Sequence, residues 1–95
     1  MASYRINYDT VVSQANDIKN LSSDLDREII NLENLLTRIK REWCGPASDA
    51  FQDQLYTLIV DMKTTKTSMS NISSTIKNVA KQIQQEDEKA NFSTL

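Results

Sequence analysis

One short stretch near the middle of the chain, residues 41–51 (REWCGPASDAF), decides the fold. It contains the only glycine, Gly45, and the only proline, Pro46, side by side. Glycine readily adopts the positive-φ conformations that end helices, and proline suits the first position of a helix. The stretch therefore predicts the end of one helix and the start of another. A protein with many strands would need several such turn points, and the rest of this 95-residue chain has none.

Apolar residues recur in alternating steps of four and three residues on both sides of this turn. The mean step of 3.5 residues keeps one side of a helix facing a partner helix in a left-handed supercoil. In each row, nine of ten positions are apolar. The row before the turn is Val11, Ala15, Ile18, Ser22, Leu25, Ile29, Leu32, Leu36, Ile39 and Trp43. The row after the turn is Phe51, Leu55, Leu58, Met62, Thr65, Met69, Ile72, Ile76, Val79 and Ile83.

These rows predict an all-α fold, an antiparallel two-helix hairpin that forms a single domain over residues 1–95. We expect helix 1 at about residues 8–43, with Asn7 as its N-cap, a turn at 44–46, helix 2 at about 46–87 and a flexible tail at 88–95. Residues 64–75 weaken helix 2, because eight of these twelve residues are Ser or Thr. This segment is either continuous helix of low local stability, which the unbroken row favours, or a linker that splits helix 2.

The composition argues against several functions. The chain has no histidine and one cysteine, Cys44, so the sequence predicts no catalytic residues, no metal site and no cofactor. A net charge of −2 gives no basic surface for nucleic acid or for an anionic membrane. The first eight residues lack the apolar core of a signal peptide, and the longest apolar run, residues 58–60, is too short to span a membrane.

A hairpin of this size buries each helix on one side only, which barely offsets the entropy lost on folding. Association is the usual remedy for a small domain without disulfides or metal, and two hairpins would form a four-helix bundle. Several apolar residues outside the two rows are candidates for the dimer interface. They are Leu21, Ile30, Leu35, Tyr56, Ile59 and Val60.

The turn also carries a recognisable motif, Trp43-Cys44-Gly45, followed by Ala47, Ala50 and Phe51. A W-x-G at the centre of a chain of about a hundred residues, between two long helices, resembles the WXG family of small ESAT-like proteins. The resemblance implies a dimer of helical hairpins, either with itself or with a related WXG protein. It also implies synthesis in the cytoplasm and export, without a cleaved signal peptide, by the ATPase and machinery of a type VII secretion system.

Members of this family often carry an export motif, Y-x-x-x-D/E, after helix 2. The nearest match here is Ile83 to Asp87, which keeps the acidic residue but has Ile in place of the aromatic one. In an antiparallel dimer, Trp43 of one chain could lie close to Ile83 and Asp87 of the other, and the three could form a joint recognition surface. Trp43 either plugs the end of the hairpin by packing alone or is also recognised in this way, while Gly45 serves the backbone geometry.

Four functions fit a chain of this kind to different degrees. The first is a secreted type VII substrate that acts through protein contacts, in virulence or bacterial competition. The alternative is an export adaptor that pairs with a larger toxin. Membrane disruption is disfavoured because the helices lack a strongly basic face. An enzyme is the least favoured, because no set of residues forms a nucleophile–base pair or a metal site.

Overall fold

The computed structural model describes the backbone of residues 6–93 and the side chains of residues 6–88. It contains two α-helices, α1 (Tyr8–Glu42) and α2 (Pro46–Ser93), which pack antiparallel as a hairpin. The hairpin measures 76 × 19 × 14 Å. Because α2 has 48 residues and α1 has 35, α2 extends past α1 at the open end.

The start of α1 is stabilised as predicted. The side chain of Asn7 accepts a hydrogen bond from the backbone N–H of Thr10, at 3.2 Å. Asp9 lies in the first turn, where a negative charge is favoured by the helix dipole. The local sequence therefore predicts this end of α1 correctly.

The turn also has the predicted geometry. Trp43, with an extended backbone, caps α1, so the helix ends at Glu42, one residue earlier than expected. Gly45 has φ +116°, a conformation that side-chain-bearing residues rarely adopt. Pro46 begins α2, and the N–H of Asp49 bonds to the carbonyl of Gly45 at 3.1 Å.

Two expectations for α2 have different outcomes. The helix is continuous through the Ser/Thr-rich segment, residues 64–75, so this segment is not a linker. The predicted tail at 88–95 is wrong for residues 88–93, because α2 continues to Ser93. The segment contains no Gly or Pro to stop the helix, and Lys89 and Ala90 favour helix formation. Residues 94 and 95, also assigned to the tail, lie outside the described residues.

The inner side of α1 is the predicted row. Its fully buried residues Ala15, Ser22, Ile29 and Leu36 recur every seven residues. Ile39 closes the row, since Trp43 is 55% exposed and does not extend it. The 3.5-residue repeat in α1 therefore marks the side that packs against α2.

The inner side of α2 differs in part from the predicted row. At every second position of that row, the residue that faces α1 is the next one along the chain. Leu55, Met62, Met69, Ile76 and Ile83 are at least half-buried, as expected. The other inner positions are Gln52, Ile59, Lys66, Ser73 and Ala80, each one residue after the position predicted. Ile59 is 3% exposed, whereas its neighbour Leu58 is 48% exposed. The two adjacent rows share the same repeat, and packing against α1 selects the one through Ile59, although only two of its five members are apolar.

The hairpin has a large-residue half near the turn and a small-residue half near the open end. The half near the turn contains the apolar core of Ile29, Leu36, Ile39, Leu55 and Ile59. In the open half, buried Ala and Ser residues allow the helices to approach closely. There the Ser73 hydroxyl donates to the carbonyl of Ala15 at 2.7 Å, and the Ser22 hydroxyl donates to that of Lys66 at 3.0 Å.

Candidate protein interface

One broad side of the hairpin, which we call the polar face, is linked by charged and polar side chains. Lys66 Nζ lies 2.8 Å from Asp26 Oδ1, and Lys63 Nζ lies 3.3 Å from Glu33 Oε2. Nearer the open end, Lys19 Nζ donates to Ser70 Oγ at 2.7 Å. These three contacts join α1 to α2 along this side of the hairpin.

The opposite side, which we call the apolar face, carries large side chains that the hairpin leaves uncovered. On α2 they are spaced by seven residues or multiples of seven and are each 44–50% exposed. These residues are Phe51, Leu58, Ile72 and Val79. On α1, Leu21 and Leu35 each precede an inner residue by one position, which rotates them about 100° onto the same side. This is the largest regular set of exposed apolar residues among residues 6–88.

A cleft of about 470 Å³ opens on the apolar face near the middle of the hairpin. It forms where α1 and α2 come together between the two halves of the core. Its lining residues are Leu21, Asp24, Leu25, Arg27, Glu28 and Met69. The lining combines an apolar floor with a charged rim, which suits an inserted side chain from another protein better than a small polar ligand.

The six interface candidates from the sequence do not share one side. Leu21 and Leu35 lie on the apolar face. Ile30, Tyr56 and Val60 are exposed on other sides of the hairpin. The assignment of Ile59 to the interface is wrong, because Ile59 lies in the core between α1 and α2. The shifted inner row of α2 causes this error as well. The sequence pattern places Leu58 inside the hairpin and Ile59 outside it, whereas the structure has the reverse.

The structure thus adds Phe51, Leu58, Ile72 and Val79 as interface candidates. The sequence pattern alone predicts that all four lie inside the hairpin. The pattern gives no separate signal for their exposure. The row that replaces them inside the hairpin, residues 52, 59, 66, 73 and 80, has only two apolar members, Ile59 and Ala80.

The W-x-G motif of the turn lies at one end of the hairpin. Trp43 is more than half exposed, and its ring centroid lies 5.9 Å from that of Phe51, with the rings inclined at 50°. Phe51 thereby connects the turn to the apolar face. Cys44 and Gly45 beside it are also exposed.

The two residues of the incomplete export motif lie towards the other end. Ile83 and Asp87 are half-buried on the inner side of α2, near and beyond the start of α1. At ~1.5 Å per residue, some 50 Å of helix separates Phe51 from Ile83. A single hairpin therefore cannot bring Trp43 together with Ile83 and Asp87.

No group of three or more Cys, Asp or Glu side chains among the described residues is placed to hold a metal ion. Neither described helix is long and apolar enough to cross a membrane.

The elongated hairpin and the W-x-G turn between its helices define a class of small all-α proteins, the W-x-G helical hairpins. The sequence matches the family described as "WXG100: Proteins of 100 residues with WXG" over residues 3–88. The chain therefore belongs to the WXG100 family. Comparison with curated proteins gave no significant match.

Solved structures with the same fold include two forms of the secreted protein EsxB from Bacillus anthracis str. Sterne. The selenomethionine-labelled form is 21% identical, with a TM-score of 0.75 over 92% of this chain and 99% of that chain. A point-mutant form is 22% identical, with a TM-score of 0.75 over 92% of this chain and 97% of that chain. At this level of identity, the similarity establishes the fold.

Proposed function

We propose that this protein is a substrate of a type VII secretion system, exported as a folded antiparallel dimer without a cleaved signal peptide and active through protein contacts. Membership of the WXG100 family supports this function, as does the similarity to structures of a protein described as secreted. In this proposal the cell makes the protein in the cytoplasm, the ATPase of the system recognises it, and its role outside is in virulence or bacterial competition.

The observation that carries the proposal is the apolar face. Phe51, Leu58, Ile72 and Val79 are about half exposed along the length of α2. Burying such side chains contributes about 1.5–3 kcal/mol each when complete, which a small hairpin needs to offset the entropy of folding. Packing two apolar faces together gives a four-helix bundle and covers both.

An antiparallel arrangement of the two hairpins also explains why the motif residues lie at opposite ends. The turn of one chain then lies beside the open end of the other, so that Trp43 approaches Ile83 and Asp87 of the second copy. The three residues form a joint surface that exists only in the dimer. Recognition of this surface would let the secretion ATPase select assembled protein over single chains.

The proposal is tested by measuring export of Trp43→Ala and of Asp87→Asn, with the mass in solution of each variant. We expect both variants to remain dimers and to lose most of their export. Tyr56→Ala is the matched control, because Tyr56 is an equally exposed aromatic residue away from the apolar face. Normal export of a dimeric Trp43→Ala variant would contradict the joint recognition surface.

A second function, export adaptor for a larger toxin, is favoured by one observation. Ile83 stands where the export motif has an aromatic residue, so the signal of this chain is incomplete and a partner could supply the rest. The mass of the chain expressed alone separates the two functions. A stable homodimer supports the secreted substrate, whereas an unfolded or aggregating single chain supports the adaptor.

A further inference from the structure

The middle of the hairpin has few buried side chains. On α2, no residue between the buried Ile59 and Ser73 is fully buried. On α1, none is fully buried between Ser22 and Ile29. We call this region, residues 19–28 of α1 and 60–71 of α2, the waist. It separates the large aliphatic core near the turn from the small buried residues of the open half.

Two clefts enter the waist from opposite broad sides of the hairpin. The cleft of about 470 Å³ opens on the apolar face. A second cleft, of about 490 Å³, opens on the polar face between Asp26 of α1 and Lys66 of α2. Arg27 lines both clefts, so they lie at the same level along the hairpin. With open space on both sides, the two helices make less van der Waals contact at the waist than in the half near the turn.

Lys66 places a charge at an inner position of the waist. In the inner row of α2, residues 52, 59, 66, 73 and 80, it is the one charged member. Its side chain is 34% exposed, and its Nζ lies 2.8 Å from Oδ1 of Asp26. Such an ion pair contributes little net stability, because loss of hydration offsets much of the attraction, and apolar side chains at the same place often contribute more. Lys66 therefore keeps the contact between the helices weak at the waist.

The helices themselves are easier to bend at the waist. Three threonines of α2, Thr64, Thr65 and Thr67, donate their hydroxyls to the backbone carbonyl four residues earlier, at 3.0–3.2 Å. On α1, the Ser23 hydroxyl donates to the carbonyl of Lys19 at 3.3 Å. Hydrogen bonds of this kind slightly destabilise a helix and often bend it. The waist thus combines weak packing between the helices with reduced stiffness within them.

We propose that the waist is a hinge: the open half separates there while the half near the turn stays folded, and Lys66 determines how often this happens. Regions that open locally are those with little buried apolar contact, and the open half is held mainly by small residues and cross-helix hydroxyl bonds. Opening uncovers the inner apolar residues Ile18 and Ile76 and leaves the W-x-G turn in place. The hinge is a property of the single hairpin and does not depend on how the protein is exported.

The independence of the two halves is tested with Ile29→Val, which shortens a buried side chain of the core near the turn. We expect amide hydrogen exchange of residues 32–39 and 52–59 to become about fivefold faster. Exchange of residues 11–18 and 73–83 should stay unchanged, because the core remains packed when the open half separates. The measurement is hydrogen exchange of the assembled protein, read by mass spectrometry.

Ile30→Val is the matched control, since Ile30 is the exposed neighbour of Ile29 and undergoes the same loss of one methylene group. It should leave exchange in both halves close to that of the original chain. If Ile29→Val accelerates exchange equally in both halves, the hairpin opens as one unit and there is no hinge.

The role of Lys66 is tested with Lys66→Met, which keeps a long, unbranched side chain but removes the charge from the inner row. We expect exchange of residues 11–18 and 73–83 to become about fivefold slower, because an apolar side chain strengthens the contact between the helices at the waist. Lys63→Met is the matched control: Lys63 forms a similar ion pair with Glu33, but it is 52% exposed and lies outside the inner row.

Lys63→Met should leave exchange of the open half unchanged. Unchanged or faster exchange in Lys66→Met would mean that opening stops short of the waist and that Lys66 does not control it. Equal slowing by both variants would assign the effect to surface charge and would also overturn the role of Lys66. None of these results alters the proposed function, which depends on the apolar face and on Trp43 and Asp87.

Discussion

At the residue scale, single side chains determine how closely the helices approach. Ser73 is fully buried, and its hydroxyl bonds to a carbonyl of the other helix, that of Ala15. Serine is a mediocre helix former, and Ser73 lies in the Ser/Thr-rich segment, residues 64–75, for which the sequence predicts low helix stability. In the structure its small size and its hydroxyl are what allow α1 and α2 to pack in the open half. The same residue type therefore weakens the helix locally and strengthens the contact between helices.

We predict that Ser73→Ala lowers the free energy of unfolding by about 0.5–1.5 kcal/mol, the usual contribution of one buried hydrogen bond. The measurement is urea unfolding followed by circular dichroism, at one protein concentration. Ser74→Ala is the control, because Ser74 is the exposed neighbour and the substitution favours the helix slightly. Equal stability of the two variants would show that the Ser73 bond contributes nothing.

At the scale of the helices, α1 and α2 differ in how many of their sides carry rows of apolar residues. In α1, the buried positions form one row that sequence periodicity identifies directly. In α2, one apolar row, from Leu55 to Ile83, faces the core, and a second, with Phe51, Leu58, Ile72 and Val79, faces outward. A helix with apolar residues on this wide an arc packs against more than one neighbour.

We predict that Ile72→Gln abolishes or strongly weakens the dimer and preserves the helical circular dichroism spectrum at high protein concentration. Ile72 is half exposed in the hairpin, so its loss removes contacts between chains and few contacts within one. Val60→Gln is the matched control, since Val60 is similarly exposed but lies off the apolar face. Light scattering measures the mass, and a dimeric Ile72→Gln variant would exclude this residue from the interface.

At the scale of the whole molecule, the hairpin has two halves of unequal packing. The half near the turn has the cluster of large aliphatic residues, with Leu25, Leu32, Leu35 and Met62 packed around it. The open half relies on small residues, two cross-helix hydroxyl bonds and the contact of Lys19 with Ser70. Local stability follows the amount of buried apolar contact, so the open half should unfold locally at a lower free energy than the half near the turn.

We predict that backbone amides of residues 29–39 and 55–62 exchange with solvent more slowly than those of residues 11–22 and 73–83. The measurement is hydrogen exchange of the assembled protein, read by mass spectrometry or NMR. The reason is that opening the half near the turn exposes the large aliphatic core, whereas the buried residues of the other half are the small Ala15, Ser22, Ser73 and Ala80. Equal protection along both helices would contradict the division into halves.

The sequence by itself determined the two helices, the position of the turn, the Asn7 cap and the inner row of α1. Each of these depends on local propensity or on a repeat within one helix, and needs no knowledge of the rest of the chain. The W-x-G motif and its surroundings likewise indicated the family without the structure.

Only the tertiary structure decided whether the row through Leu58 or the row through Ile59 faces α1. A change of one residue rotates a helix by about 100°, and the rows through Leu58 and through Ile59 have the same spacing. Periodicity along one helix carries no information about its rotation around its own axis. That rotation is set by contacts with α1, where the small residues Ser73 and Ala80 allow close approach and Ile59 completes the core. For this reason the apolar face, and with it the candidate interface, is determined by the packing of the two helices and not by the sequence of either one.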